Sequence, residues 1–186
     1  MKHSPAIRNM IFFDAALQVL TGAFFVLQRF CGGGWLLSVY VTLLMVTYHF
    51  VMRIVVGLAM TVRYRNRKFD LDSPGFRLHS FEPRLYEILQ VRKWKGKLIT
   101  AKPEQFDVRH LSAEALLHNM VQAELVHRII MPLSFVPLLL IIPYGTAPVF
   151  VITSIAACLI DLAFVIIQRY NRPRVMGYLR RRAAIK

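Results

Sequence analysis

Residues 147–167 read "APVFVITSIAACLIDLAFVII", a run with one charged side chain, Asp161. About 20 such residues of helix cross the hydrocarbon core of a bilayer. No water-exposed element accommodates so long an apolar run, so this stretch sets the class of the whole chain. Two more stretches match it, 10–27 ("MIFFDAALQVLTGAFFVL") and 35–60 ("WLLSVYVTLLMVTYHFVMRIVVGLAM"). A fourth, 129–142 ("IIMPLSFVPLLLII"), is short and holds Pro132 and Pro137. It spans if helix continues upstream through "LVHR"; otherwise it is re-entrant or interfacial. The expected fold class is an all-α integral membrane protein with about four transmembrane helices. It forms one membrane domain over 1–186, with spans at about 10–27, 35–60, 129–142 and 147–167.

Orientation follows from the basic residues. Segment 61–128 holds thirteen Lys and Arg and segment 169–186 holds seven, whereas "QRFCGGG" holds one and "PYGT" none. Lys2 and Arg8 precede the first span. The positive-inside rule puts both termini, the basic segment 61–128 and the tail 168–186 in the cytoplasm of a multi-pass cell-membrane protein. "CGGGW" reads as an outer turn. The first apolar run lacks a signal-peptide cleavage site and is read as a retained helix. Overall the chain is 56% hydrophobic, with formal net charge +14. That pairing indicates a basic membrane face toward anionic lipid. Nucleic acid is not an expected partner, because the basic residues flank apolar runs. Cys31 and Cys158 form no C-x-x-C motif and imply no disulfide framework.

Within 61–128, "RYRNRKFDLDSPGFRLHSFEPRLY" mixes charge with Pro and Gly and reads as loop and short helix. In "VRKWKGKLIT" Lys93, Lys95 and Lys97 alternate with Trp94, which predicts a strand or extended segment at the lipid interface. From Ser112, "SAEALLHNMVQAELVHRIIM" predicts a helix with Ser112 as N-cap and Glu114 in its first turn. Beyond the last span, Pro173 in "QRYNRPR" predicts that the helix ends near Arg172.

Four ionisable side chains, Asp14, His49, Arg53 and Asp161, lie inside the apolar runs. Helical rise places Asp14, Asp161, Arg53 and His49 roughly 6, 9, 10 and 16 Å from the cytoplasmic ends of their spans. They form either a structural ion pair, Arg53 with Asp161 or Asp14, or a polar pocket opening to the cytoplasm.

Glu124 and His127 in "QAELVHR" share a helix face. A carboxylate beside an imidazole fixes its tautomer and raises its basicity, which suits a general base. An E-x-x-H pair also serves metal sites in helical bundles, but those need a second motif and further Glu residues. Only His110 with Glu114 comes near, so no metal is expected. No nucleophile elbow or phosphate loop is present, so base-assisted direct transfer is favoured over a covalent intermediate.

"VRKWKGKLI", "FDVRHL", "AELVH" and "QRYNRPR" occur in this order in the glycosyl-4,4'-diaponeurosporenoate acyltransferases of staphyloxanthin biosynthesis, and residues 90–174 resemble that family. The resemblance implies an O-acyltransferase that esterifies a sugar hydroxyl of a membrane glycolipid with a fatty acyl chain. In the pigment pathway the acceptor is the glucose of a carotenoid glycoside, acylated at its C6 hydroxyl. The implied partners are membrane lipid, a lipid-linked sugar acceptor and a fatty acyl donor. The donor is an activated co-substrate, acyl-CoA or acyl carrier protein, and no cofactor is implied.

On this combined reading His127, oriented by Glu124, takes the acceptor proton, with His110 as the alternative base. Arg109 or Asn171 stabilises the oxyanion. Arg92, Lys93, Lys95, Arg169, Arg172 and Arg174 meet donor phosphates, and Trp94 sits beside them. The competing readings are a small membrane methyltransferase or reductase, which would need a cofactor cleft, and a non-catalytic membrane subunit.

Overall fold

The computed structural model describes residues 5–65, 67, 69–70, 73–97, 106 and 111–184, with side chains described between 8 and 181. Every regular element among the described residues is helical: α1 (Pro5–Cys31), α2 (Gly34–Tyr64), α3 (Glu82–Ile88), α4 (Val91–Trp94), α5 (Ala113–Leu133), a 3-10 helix (Val136–Leu140), α6 (Ile141–Tyr144) and α7 (Ala147–Ala184). Four helical segments are long and apolar enough to cross a membrane: Arg8–Cys31, Gly34–Tyr64, Ala113–Tyr144 and Ala147–Arg181. The chain is therefore an all-α protein of the multi-pass membrane type. The short apolar stretch at 129–142 does have upstream helix, because α5 begins at Ala113. Ser112 caps that helix, its Oγ accepting the Ala115 N–H at 3.1 Å.

The chain divides into two compact units, Met1–Ala59 with Ile129–Asp161 and Met60–Arg128 with Leu162–Lys186. In the first, α1 and α2 are joined by Gly32 and Gly33 at φ +66° and +102°, a conformation only glycine adopts without strain. Lipid removes most of the hydrophobic drive between helices, so packing and polar contacts between them count for more. Thr21 and Thr47 hydroxyls meet at 2.8 Å, and the Phe13 and Phe50 rings meet edge-on at 5.1 Å. Tyr40, Val41, Met45 and Phe150 form the buried core. The Tyr48 hydroxyl donates to the Leu133 carbonyl at 2.8 Å, satisfying an acceptor at the end of α5.

The second unit buries Tyr86, Val91, Leu116, Leu117, Met120, Val121, Val165 and Ile167. Two local expectations fail here. Residues 91–97 are not extended: Val91–Trp94 is helical, and the Lys97 N–H continues the turn to the Trp94 carbonyl at 2.9 Å. Gln90 enters this turn at φ 50°, Val91 is fully buried beneath it, and Trp94 Nε1 donates back to the Leu89 carbonyl at 2.8 Å. Burial of Val91 and these local bonds override the alternating lysine pattern. Pro173 does not end the last helix either, since α7 runs on to Ala184. Proline's fixed φ is helical, and what it removes is one N–H, the one that would bond the Arg169 carbonyl.

Candidate functional site

The second unit is organised by arginines of α7. Arg169 lies four residues before Pro173 and is buried. Its Nε donates to Glu82 Oε2 at 2.9 Å, and its Nη2 pairs with Glu82 Oε1. Its Nη1 reaches Glu124 Oε1 at 3.0 Å. Further bonds go to the carbonyls of Arg77 (2.8 Å) and Gly75 (3.3 Å). Arg172 donates to Glu124 Oε2 and to the Phe76 carbonyl, and its guanidinium lies 5.4 Å from the centre of the Phe76 ring. Arg128, one turn beyond Glu124 on α5, pairs with Glu124 Oε1 at 2.6 Å and donates to the Gly75 carbonyl at 3.1 Å. Three guanidinium groups thus meet one carboxylate that is 0% exposed. The same three clamp the carbonyls of residues 75–77, a stretch with no ladder or helix to satisfy them.

Glu82 opens α3 and is buried. Burial opposes its ionisation, but the bonds from Arg169, from the Tyr86 hydroxyl and from the His79 N–H outweigh it and hold its carboxyl down at about 2. Burial, and then the bond to the Glu82 carboxylate, push the Tyr86 hydroxyl well above its ordinary value.

Beside this cluster is a groove of about 640 Å³, within the ordinary range for small-ligand sites. Its polar lining includes Glu87, Gln90, Arg92, Lys93, Arg169 and Arg174, and its apolar lining includes Leu78, Tyr86 and Tyr170. The guanidinium of Arg174 sits 3.7 Å from the centre of the Tyr170 ring, and Lys95 Nζ sits 5.0 Å from it. Lys95 also donates to Asn171 Oδ1 at 2.8 Å. Burial, and then repulsion from Arg174 and Arg92, lower the Lys95 pKa. The cations Arg92, Lys93 and Arg174 against the single carboxylate Glu87 give the groove wall an excess of positive charge, suited to an anionic ligand.

The structure sorts the residues singled out from sequence. Arg92, Lys93, Arg169 and Arg174 line the groove. Trp94, Lys95 and Asn171 belong to its supporting contacts. Arg172 lines a smaller neighbouring groove of about 300 Å³. Glu124 is the acceptor of the arginine cluster. The His127 ring stacks on Phe164 at 4.6 Å, with planes 8° apart. Arg109 and His110 lie outside the described residues. In the first unit, Arg53 pairs with Asp161 at 2.5 Å and donates to the carbonyls of His49 (3.2 Å) and Ala157 (3.3 Å). Asp14 accepts from Gln18 at 2.8 Å. Of the two partners considered for Arg53, the structure selects Asp161. None of these four lines either groove.

Glu82 and Tyr86 were not anticipated. The one available signal was the i, i+4 spacing of Glu82 and Tyr86 in "FEPRLYEIL", with Pro83 at a helix start.

Four membrane-length helices, with a buried charge cluster beside a basic groove, define a small protein of the polytopic membrane type. A family model described as glycosyl-4,4'-diaponeurosporenoate acyltransferase matches residues 63–181, nearly two thirds of the chain, and the chain belongs to that family. It is an acyltransferase, of the family that serves carotenoid and staphyloxanthin biosynthesis. No curated protein and no solved structure matches it.

Proposed function

We propose that the protein esterifies a sugar hydroxyl of a membrane glycolipid with a fatty acyl chain at the cytoplasmic face of the cell membrane. A glycosylated carotenoid carboxylate is the leading acceptor, as the family description suggests. The single observation that carries the reading is that the basic groove lies wholly within the residues matched by the acyltransferase family. The cytoplasmic placement rests on the thirteen Lys and Arg of 61–128 and the seven of 169–186.

Arg92, Lys93 and Arg174 bind the phosphates of the activated donor, a coenzyme A or carrier-protein thioester, and Lys95 supports that wall. Arg169 and Arg172 act through Glu82 and Glu124, holding the groove's walls rather than meeting phosphate. His127 removes the proton from the acceptor hydroxyl as its oxygen attacks the thioester carbonyl. Asn171 or Arg109 stabilises the oxyanion. The C–S bond then breaks, the proton passes to the departing thiolate, and the products are an ester and a free thiol. His110 is the alternative base. Donor and acceptor supply every atom of this exchange, so no redox cofactor is needed.

The test is ester formation by purified His127→Ala and His110→Ala proteins supplied with labelled acyl donor and a glycolipid acceptor. A general base contributes roughly 10²–10⁴-fold, so one variant is expected to fall by that factor. Normal ester formation by both would overturn the histidine-base mechanism. No transfer to any glycolipid by the unaltered protein would overturn the acceptor class.

A further inference from the structure

Lipid-facing helices explain most of the exposed large apolar side chains in this chain. Outside the four membrane-length segments, every such side chain among the described residues falls within one short stretch: Leu78, Phe81, Leu85, Ile88 and Leu89. Phe81 is 62% exposed and Ile88 69%. Phe81 and Leu89 flank α3 in right-handed helical geometry, so helical spacing applies across the whole stretch. At about 100° per residue, Phe81, Leu85 and Ile88 fall within roughly 60° of one another.

The helix therefore has three faces. Glu82 and Tyr86 point into the unit. Pro83 and Glu87 line the groove. Phe81, Leu85 and Ile88 present a bare apolar stripe.

The surroundings indicate what covers that stripe. Residues 77–97 carry six basic side chains against two acidic ones, and one of the two, Glu82, is buried against Arg169. Arg84, Arg92 and Lys93 are exposed. A short amphipathic helix with a bare apolar stripe and a cationic rim matches the boundary between acyl chains and anionic headgroups. The chain is already tied to a bilayer by its apolar helices, so that boundary is within reach.

We infer that α3 lies in the bilayer interface as a membrane-surface element, with Phe81, Leu85 and Ile88 inserted among anionic lipids. Leu78 belongs both to the exposed apolar set and to the groove lining, so the groove opens at headgroup depth. A lipid-linked substrate can then reach it sideways without leaving the membrane. The insertion itself is independent of the acyl-transfer reading.

The experiment places a nitroxide at Ile88→Cys or at Glu87→Cys, in full-length protein carrying Cys31→Ser and Cys158→Ser. The protein is reconstituted in phosphatidylcholine vesicles containing phosphatidylglycerol. Both positions are exposed, so neither label disturbs packing, and activity is not the readout. Collision with oxygen relative to a water-soluble nickel chelate is expected to be several-fold higher at 88 than at 87. Equal values at the two positions would overturn the assignment. So would dipolar broadening between labels at 88, because the stripe would then be covered by a second copy of the chain.

Discussion

Arg169 grips Glu82 side-on, with Nε on Oε2 at 2.9 Å and Nη2 on Oε1, while its remaining nitrogen reaches Glu124 at 3.0 Å. One guanidinium thereby ties α3, α5 and α7 together behind the groove. Bidentate pairing of this kind fixes orientation as well as charge.

Removing one partner should expose the cost of that burial. Glu82→Gln removes the bidentate carboxylate and leaves Arg169 sharing Glu124 with Arg128 and Arg172. Breaking one side of a buried pair costs about 3–5 kcal/mol in comparable sites. Thermal melts of purified protein in detergent should show a clear drop in Tm for Glu82→Gln. Exposed Glu87→Gln should melt like the unaltered protein.

The same pair predicts acid sensitivity with a defined sign. The Glu82 carboxyl is held at about 2 in the folded protein against an ordinary 4.5. A depressed carboxylate pKa contributes stability that is complete above the unfolded value and is lost as pH falls through the folded one. The stabilisation, on the order of 3 kcal/mol, should fade between about pH 5 and pH 2. Melting temperature measured across that range should fall more steeply for the unaltered protein than for Glu82→Gln.

Glu124 can be assigned by separating stability from rate. Its two oxygens serve Arg128, Arg169 and Arg172. Glu124→Gln is expected to lower Tm by as much as Glu82→Gln does. A variant that melts normally but loses kcat would instead mark Glu124 as acting on His127.

The groove cations should govern donor binding. Hydrogen bonds to charged groups contribute about 1.5–3 kcal/mol, so Arg174→Ala and Lys93→Ala should each raise the donor KM roughly tenfold or more, with a smaller change in kcat. Steady-state kinetics with varied donor and saturating acceptor measures this. Arg180→Ala, which lies in the neighbouring groove, should leave donor KM unchanged.

Within the first unit, Arg53 and Asp161 should behave as a couple. Asp161→Asn leaves Arg53 without its carboxylate and should destabilise by about 3 kcal/mol. Replacing both with leucine should recover much of that loss, because a buried pair and an apolar pair often differ little. Melts of Arg53→Leu, Asp161→Leu and the double leucine variant against the unaltered protein complete the cycle.

The sequence by itself determined the membrane class, the all-helical architecture, the Ser112 cap and the family. Those depend on run length, local composition and word order, all of which are one-dimensional properties. It also supplied the groove's cations, because Arg92, Lys93, Arg169 and Arg174 stand in distinctive basic words. Local pattern misled where burial intervened. The alternating lysines at 93–97 gave way to a turn anchored by fully buried Val91, and Pro173 was absorbed into α7.

Only the tertiary structure decided how the arginines divide their work. Arg169, Arg172 and Arg174 lie within six positions of one another and read alike. Yet Arg169 and Arg172 are buried against Glu82 and Glu124, while Arg174 lies over Tyr170 on the groove wall. Glu82 lies 87 residues before Arg169, and no periodicity reaches across that separation. A charge's role depends on which partner the folded chain brings to it, and that pairing exists only in three dimensions.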